Sequence, residues 1–307
     1  MPEKRILFGR TWVKLIRNLW SIYLFLRGDK MTISICWQRK FRGVDEIIFA
    51  SDSRLSAGYR WDCAQKIFPI EGPNFCISFA GNSDFAFPCI FQFQRMVKSY
   101  ERFSTGAAPI SVLAKDFLAI VNQLFALVDD KIIAQFNQTQ FLLGGYDFET
   151  GEPYLRSIRF DEKSAKYKRF EVGGLSSGGL KAAVGFAGDL RSIYLGTLGK
   201  TMDRMRSEMD YQPLSALQEV LQQQGRDSPV GGKPQIVKVY KHRNYLPYAV
   251  RESQTSKDHY LFGRPLLAYE KVFYPVATLD CIGESNFVHY PRSTPNRELS
   301  KPLEIHS

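Results

Sequence analysis

From Thr32 onward the chain alternates apolar and small or polar positions, Thr32-Ile33-Ser34-Ile35-Cys36-Trp37-Gln38, the period of a strand with one buried face. A second apolar run, Ile47-Ile48-Phe49-Ala50, gives way to Ser51-Asp52-Ser53-Arg54-Leu55-Ser56-Ala57-Gly58, a strand closing in a polar, glycine-containing turn. Lys66 heads a third run, Lys66-Ile67-Phe68-Pro69-Ile70. Phe75-Cys76-Ile77-Ser78-Phe79-Ala80 alternates large and small residues and breaks at Gly81-Asn82-Ser83-Asp84. Helical spacing then governs residues 83–103 and 110–130, the second with a face of Phe117, Ile120, Val121, Leu124 and Leu127. Residues 141–147 and 153–160 predict a hairpin around Glu149-Thr150-Gly151-Glu152. Residues 188–209 and 213–224 predict two more helices, and residues 235–241 a strand. After Tyr245 the pattern weakens to two short strands, within residues 260–267 and 271–276, and residues 291–307 read as a disordered polar tail.

With 307 residues and 44% hydrophobic content, the chain is long enough to bury one sizeable core with an appended tail, and it contains no internal repeat. The net charge of +10 suggests a nucleic-acid partner until its location is considered. Residues 1–30 hold seven Lys or Arg against two acids, half of the excess, and no basic stripe interleaved with aromatics runs through the rest. Nucleic acid is therefore not an expected partner. Five widely spaced cysteines, Cys36, Cys63, Cys76, Cys89 and Cys281, include no C-x-x-C pair and read as buried thiols of a reducing cytoplasm.

The candidate chemistry starts at Met31-Thr32. Removal of everything up to Met31 leaves a threonine hydroxyl and a free α-amine, reference pKa about 7.7 to 8.0, on one residue: a weak nucleophile with its own base. All four histidines, His242, His259, His289 and His306, fall in the last 66 residues. A base in the main body must then be an amine or a carboxylate. A competing motif, Gly174-Leu175-Ser176-Ser177-Gly178, fits the G-x-S-x-G elbow of serine hydrolases, with Asp227 and a histidine following in the right order, but it requires a strand before it and a helix directly after.

In the order Thr32, Asp52-Ser53-Arg54 with Ala57-Gly58, Lys66 and Ala80-Gly81, the chain resembles proteasome β subunits and the related peptidase subunit of a bacterial ATP-dependent protease. The resemblance continues in Leu143-Gly144-Gly145-Tyr146-Asp147 and in Arg226-Asp227 followed by Gly231-Gly232, spanning about residues 31 to 240. It implies an α+β fold, the four-layer αββα sandwich of N-terminal-nucleophile (Ntn) hydrolases. It also implies a threonine-type peptidase in which Thr32 attacks the scissile carbonyl and Lys66 tunes the amine. Asp52 would hold Lys66, Gly81 would donate to the oxyanion and Asp227 would support the amine. No metal or organic cofactor is implied. The partners implied are a peptide or unfolded-protein substrate, copies of the same chain in a ring and an ATPase or unfoldase.

Two positions depart from that pattern. Phe186, in Gly185-Phe186-Ala187-Gly188, and Val230 stand where the family carries serines near the amine. They motivate a second expectation, a catalytically silent subunit that keeps the fold for assembly; a serine hydrolase using Ser176 is the third. Residues 10–26 read as a basic amphipathic stretch with an apolar end too short to span a membrane. A propeptide, a membrane-surface helix and a start at Met31 all accommodate it, and the last fits initiator-methionine removal best. The expected organisation is residues 1–31 removed or untranslated, a cytoplasmic Ntn-hydrolase domain over 32–245, and an extension over 246–307.

Overall fold

A computed structural model describes residues 32–291 except 42, 57–58, 74, 130–134, 178–179, 206–208, 226–227 and 243. The expectations for residues 1–31, for Asp227 and for the tail beyond 291 lie outside the described residues. In chain order the strands are β1 (Ile33–Phe41), β2 (Val44–Ser51), β3 (Leu55–Ser56), β4 (Arg60–Trp61), β5 (Ile67–Ile70) and β6 (Phe75–Ala80). Helices α1 (Ser83–Ser99), α2 (Glu101–Ser104) and α3 (Ile110–Ala126) follow. Next come β7 (Gln140–Tyr146), β8 (Pro153–Asp161), β9 (Lys166–Glu171), β10 (Gly174–Ser177) and β11 (Leu180–Gly188). After α4 (Arg191–Met205) and α5 (Gln212–Gln223) come β12 (Gln235–Tyr240), β13 (Asn244–Arg251), β14 (Tyr260–Leu261), β15 (Arg264–Pro265), β16 (Val276–Thr278) and β17 (Val288–His289).

This is an α+β fold of mainly antiparallel sheets. One sheet runs β10-β11-β1-β2-β12-β13-β14-β15, with β16 joining β13 in parallel and β17 joining β16. The other runs β5-β6-β7-β8-β9. Period-two alternation explains how each strand serves two cores. In β1, Ile33, Ile35 and Trp37 point to one side and pack with Tyr194 and Leu198 of α4 and Leu214, Leu217 and Val220 of α5. Cys36 points to the other side, into a cluster shared with Phe49, Ile67, Cys76 and Leu142, so that cluster lies between the sheets. Phe75, Ile77 and Phe79 of β6 turn instead toward Phe93 of α1 and Phe117 of α3.

The helix expected over 83–103 divides at Tyr100, whose extended backbone (φ −116°, ψ 117°) closes α1 and precedes α2. Of the strand expected within 271–276, only Val276 is in a strand, and pairing with β13 carries that strand on to Thr278. A buried ionic group, Arg39, Glu46 and Lys238, lies on the helix-facing side of the large sheet. Arg39 bonds Glu46 at 2.6 Å and also Asp210, while Lys238 reaches Glu46 at 3.0 Å and the Tyr211 hydroxyl at 2.7 Å.

Candidate active site

Strand direction brings the candidate residues together. Thr32 immediately precedes β1, and Asp52 follows β2, its antiparallel neighbour, so both lie at the same end of the large sheet. In the small sheet Lys66 immediately precedes β5 and Gly81 follows the neighbouring β6. The Gly81 N–H donates to Thr32 Oγ1 at 2.8 Å, and Lys66 Nζ donates to Asp52 Oδ1 at 2.7 Å. One hydroxyl, one amide donor and one ion pair thus occupy a single corner between the sheets.

Asp52 is fully buried and held from several sides. Its Oδ1 also accepts the Ile33 N–H at 3.2 Å, and its Oδ2 accepts the N–H groups of Arg54 at 3.1 Å and Gly231 at 3.2 Å. Burial pushes the Asp52 carboxyl up, against the opposing pull of Lys66 and of the Gly231 and Ile33 amides. Burial likewise pushes the Lys66 ammonium below its ordinary range, with Asp52 opposing. Lys66 and Asp52 thus form an ion pair with no exposed side-chain surface on either partner.

Gly81 adopts φ 107°, and a β-carbon there would meet Thr139 Cα at 2.8 Å, so conformation and space both demand glycine. Asn82 follows as the N-cap of the 17-residue α1, its side chain accepting the Asp84 N–H at 2.8 Å. The Gly81 amide therefore lies one residue before a helix N-terminus, where negative charge is stabilised.

A hairpin of β3 and β4 fills the loop between Asp52 and Lys66. Arg54 braces it: Nε and Nη2 hold Asp62 at 2.5 and 2.8 Å, and Nη1 donates to the Ser228 carbonyl at 2.6 Å. The C-terminal segments reach the same loop, since a β-carbon on Gly263, between β14 and β15, would lie 2.3 Å from Ser53 Cβ. Sequence reasoning missed this contact and also missed Gln235, whose carboxamide bonds the backbone of Asp52, Ala64 and Lys66. The one available signal for Gln235 was an amide heading the otherwise apolar run Ile236-Val237.

The elbow at Ser176 is not formed. Residues 174–177 are a strand paired antiparallel with β11, Ser176 opposite Lys181, and no helix follows directly. His242 lies beyond the far end of β12 from Gln235, and therefore away from the corner that holds Thr32. Phe186 is buried beside the Tyr194 ring, their centroids 5.4 Å apart, and Val230 is buried in the cluster beneath α4 and α5. Among the described residues, no group of three or more His, Cys, Asp or Glu is placed to hold a metal ion.

No protein-family model matches the chain, and no curated protein does. Among solved structures it is similar to Anbu from Hyphomicrobium sp. strain MC1, a Gly-1 mutant, at 16% identity and TM-score 0.49 over 70% of this chain and 84% of that one. It is also similar to Anbu, described as an ancestral beta-subunit, from Yersinia bercovieri, at 15% identity and TM-score 0.49 over 70% of this chain and 87% of that one.

Proposed function

We propose that the chain is a threonine-type peptidase of the proteasome-like Ntn class, with Thr32 as its N-terminal nucleophile once residues 1–31 are absent. The observation that carries this reading is the convergence of Thr32 Oγ1, the Gly81 amide 2.8 Å from it, and the buried Lys66–Asp52 pair. The three hydrophobic clusters, helix against sheet, sheet against sheet and sheet against helix, support a four-layer αββα order.

In this mechanism the freed α-amine takes the Thr32 hydroxyl proton as Oγ1 bonds to the scissile carbonyl carbon. The oxyanion accepts from the Gly81 N–H. Collapse breaks the C–N bond, and the ammonium returns the proton to the leaving amine. Water, deprotonated by the same amine, then hydrolyses the acyl ester and restores Thr32. Lys66, held by Asp52, keeps positive charge near the amine and so favours its neutral, basic form. Asp227 retains its proposed supporting role. The substrate is an unfolded or peptide chain, and an ATPase partner would supply it.

Self-association belongs to the same reading. Of the four phenylalanines clustered in α1, Phe85 and Phe93 are core residues, whereas Phe91 is 51% exposed and stacks on half-buried Phe87 with centroids 5.9 Å apart. That exposed pair suits a contact between copies in a ring. Among the described residues no helix is long and apolar enough to cross a membrane; a cytoplasmic setting is part of the proposal.

The second reading, a silent assembly subunit, is favoured by Phe186 and Val230, which stand where the resemblance implies serines near the amine. A chain produced to begin at Thr32, treated with a probe that bonds both the hydroxyl and the α-amine of one residue, separates the two. Stoichiometric modification at Thr32 with peptide turnover supports the peptidase; an unmodified, folded chain supports the silent subunit.

A further inference from the structure

We infer that Gln235 is a positioning residue that sets the geometry of the Asp52–Lys66 pair. This rests on the peptidase reading above and adds to it a group that does not itself touch the nucleophile. Gln235 opens β12 opposite Ser51, the last residue of β2, and is only 1% exposed. Its Oε1 accepts the Lys66 N–H at 3.0 Å, while its Nε2 donates to the Asp52 carbonyl at 3.2 Å and the Ala64 carbonyl at 2.7 Å. The side chain's one acceptor atom and both its donor hydrogens are engaged, all on main-chain atoms of the segment that begins and ends with the ion pair.

That arrangement answers a physical problem. The chain leaves the large sheet after Asp52, turns through the β3–β4 hairpin, and enters the small sheet at Lys66. Nothing in either sheet ladder fixes the two residues relative to each other. A loop of this length closes at an entropic cost that a cross-tie at its base offsets. A planar carboxamide supplies two donors and an acceptor in one rigid unit. Glutamate, of the same shape, would turn acceptor oxygens toward two carbonyls; methionine would leave three main-chain groups unpaired in the interior; asparagine is one methylene short. The neighbouring residues complete the hold, because Ser53 N–H donates to the Gly231 carbonyl at 3.0 Å while the Gly231 N–H donates to Asp52. The segment leading into β12 thus grips Asp52 by its carboxylate and Gln235 grips it by its carbonyl.

The test uses the full chain from Thr32 with Gln235→Glu, Gln235→Met and Gln235→Asn, beside Thr278→Val as a control. Thr278 is fully buried and accepts from Arg251 Nε at 3.0 Å in the β13–β16 region, so the control removes a buried polar contact elsewhere. The readouts are the pH profile of probe modification at Thr32, kcat and KM on a peptide substrate, the thermal midpoint, and the titration of the Lys66 amine by nitrogen-15 NMR, assigned with Lys66→Met. Gln235→Glu and Gln235→Met are expected to lower kcat and the modification rate about tenfold or more with KM changed by about twofold or less. They are also expected to move the Lys66 titration by about half a pH unit or more. Thr278→Val is expected to keep the wild-type rate and titration at a comparable thermal midpoint. Wild-type modification and an unchanged Lys66 titration in the folded Gln235 variants overturn the inference, as does a rate loss no larger than that of Thr278→Val at the same thermal midpoint. If the wild-type chain is itself unmodified, the peptidase reading fails. The Lys66 titration then still decides whether Gln235 positions the pair, and Gln235→Asn serves that measurement if the other variants do not fold.

Discussion

Gly188 lies directly against the backbone of Thr32: a β-carbon on it would come within 1.8 Å of the Thr32 carbonyl oxygen, and its φ is 120°. Pairing of Ile33 with Gly188 at the end of β11 brings the two together. Gly188→Ala therefore has to push Thr32 away from the Gly81 amide or bend β11. The expected outcome is loss of about tenfold or more in probe modification at Thr32, with strain costing about 1–3 kcal/mol of stability. Modification kinetics beside a denaturant melt check it; an unchanged rate means that Thr32 is not held by this contact.

Thr32→Ala is expected to remove peptide turnover, a loss of about a thousandfold or more, while Ser176→Ala leaves it within about twofold. Ser176 lies in a strand paired antiparallel with β11, not at a strand-to-helix elbow. Steady-state assays on both variants decide between them, and a dead Ser176→Ala enzyme reverses the assignment.

Lys66→Met leaves the Asp52 carboxylate buried without its cation. Breaking a buried pair from one side typically costs about 3–5 kcal/mol, so both turnover and the unfolding midpoint should fall. The pH dependence has a defined sign. Burial holds the Lys66 pKa in the folded chain below its ordinary 10.5, so between those two values the unfolded chain binds more protons. In that window the lysine's contribution makes stability rise with pH. The difference between wild-type and Lys66→Met denaturation curves across the alkaline range should show this slope, and a flat difference contradicts it.

Thiol reactivity should separate Cys63 from the rest. Burial pushes the Cys36 and Cys89 thiols up to about 12, leaving almost no thiolate at pH 8, whereas Cys63 is part-exposed in the loop between Asp52 and Lys66. Iodoacetamide on the native chain should modify Cys63 first, with Cys36, Cys76 and Cys89 modified only after unfolding. Peptide mapping by mass spectrometry reads the order, and early modification of Cys36 contradicts the packing between the sheets.

Light scattering after size-exclusion chromatography should give a closed multiple of the chain mass at micromolar concentration. Phe91→Glu, which places charge on the exposed aromatic pair of α1, should shift it toward monomer without changing the fold. A wild-type monomer across that range removes the ring from the proposal.

The site was legible where chemistry depends on residue type and local order. Thr32 opening an alternating strand, Asp52 ending one, Lys66 heading the next and Gly81 breaking the fourth are features of short windows, and the strands they delimit carry them to one corner. Gln235 and Gly263 were not legible, because their roles are contacts with Asp52, Lys66 and Ser53 across 169 to about 210 positions of chain. Nothing in a glutamine's neighbours states which backbone it will bond. The same holds for Glu46 and Lys238, far apart along the chain yet buried together.

By itself, then, the order of apolar and polar residues determined which segments become strands and helices, which strand ends carry reactive groups, and which residue types are available as nucleophile and base. Periodicity is a local property and survives whatever the strand packs against. Only the tertiary structure decided that the Lys66 and Asp52 charges are buried together, that Phe91 faces outward while Phe93 faces in, and that Ser176 lies in a strand paired with β11. Those outcomes depend on sheet order and burial, and burial is what turns a common lysine and aspartate into a pair with shifted proton affinities.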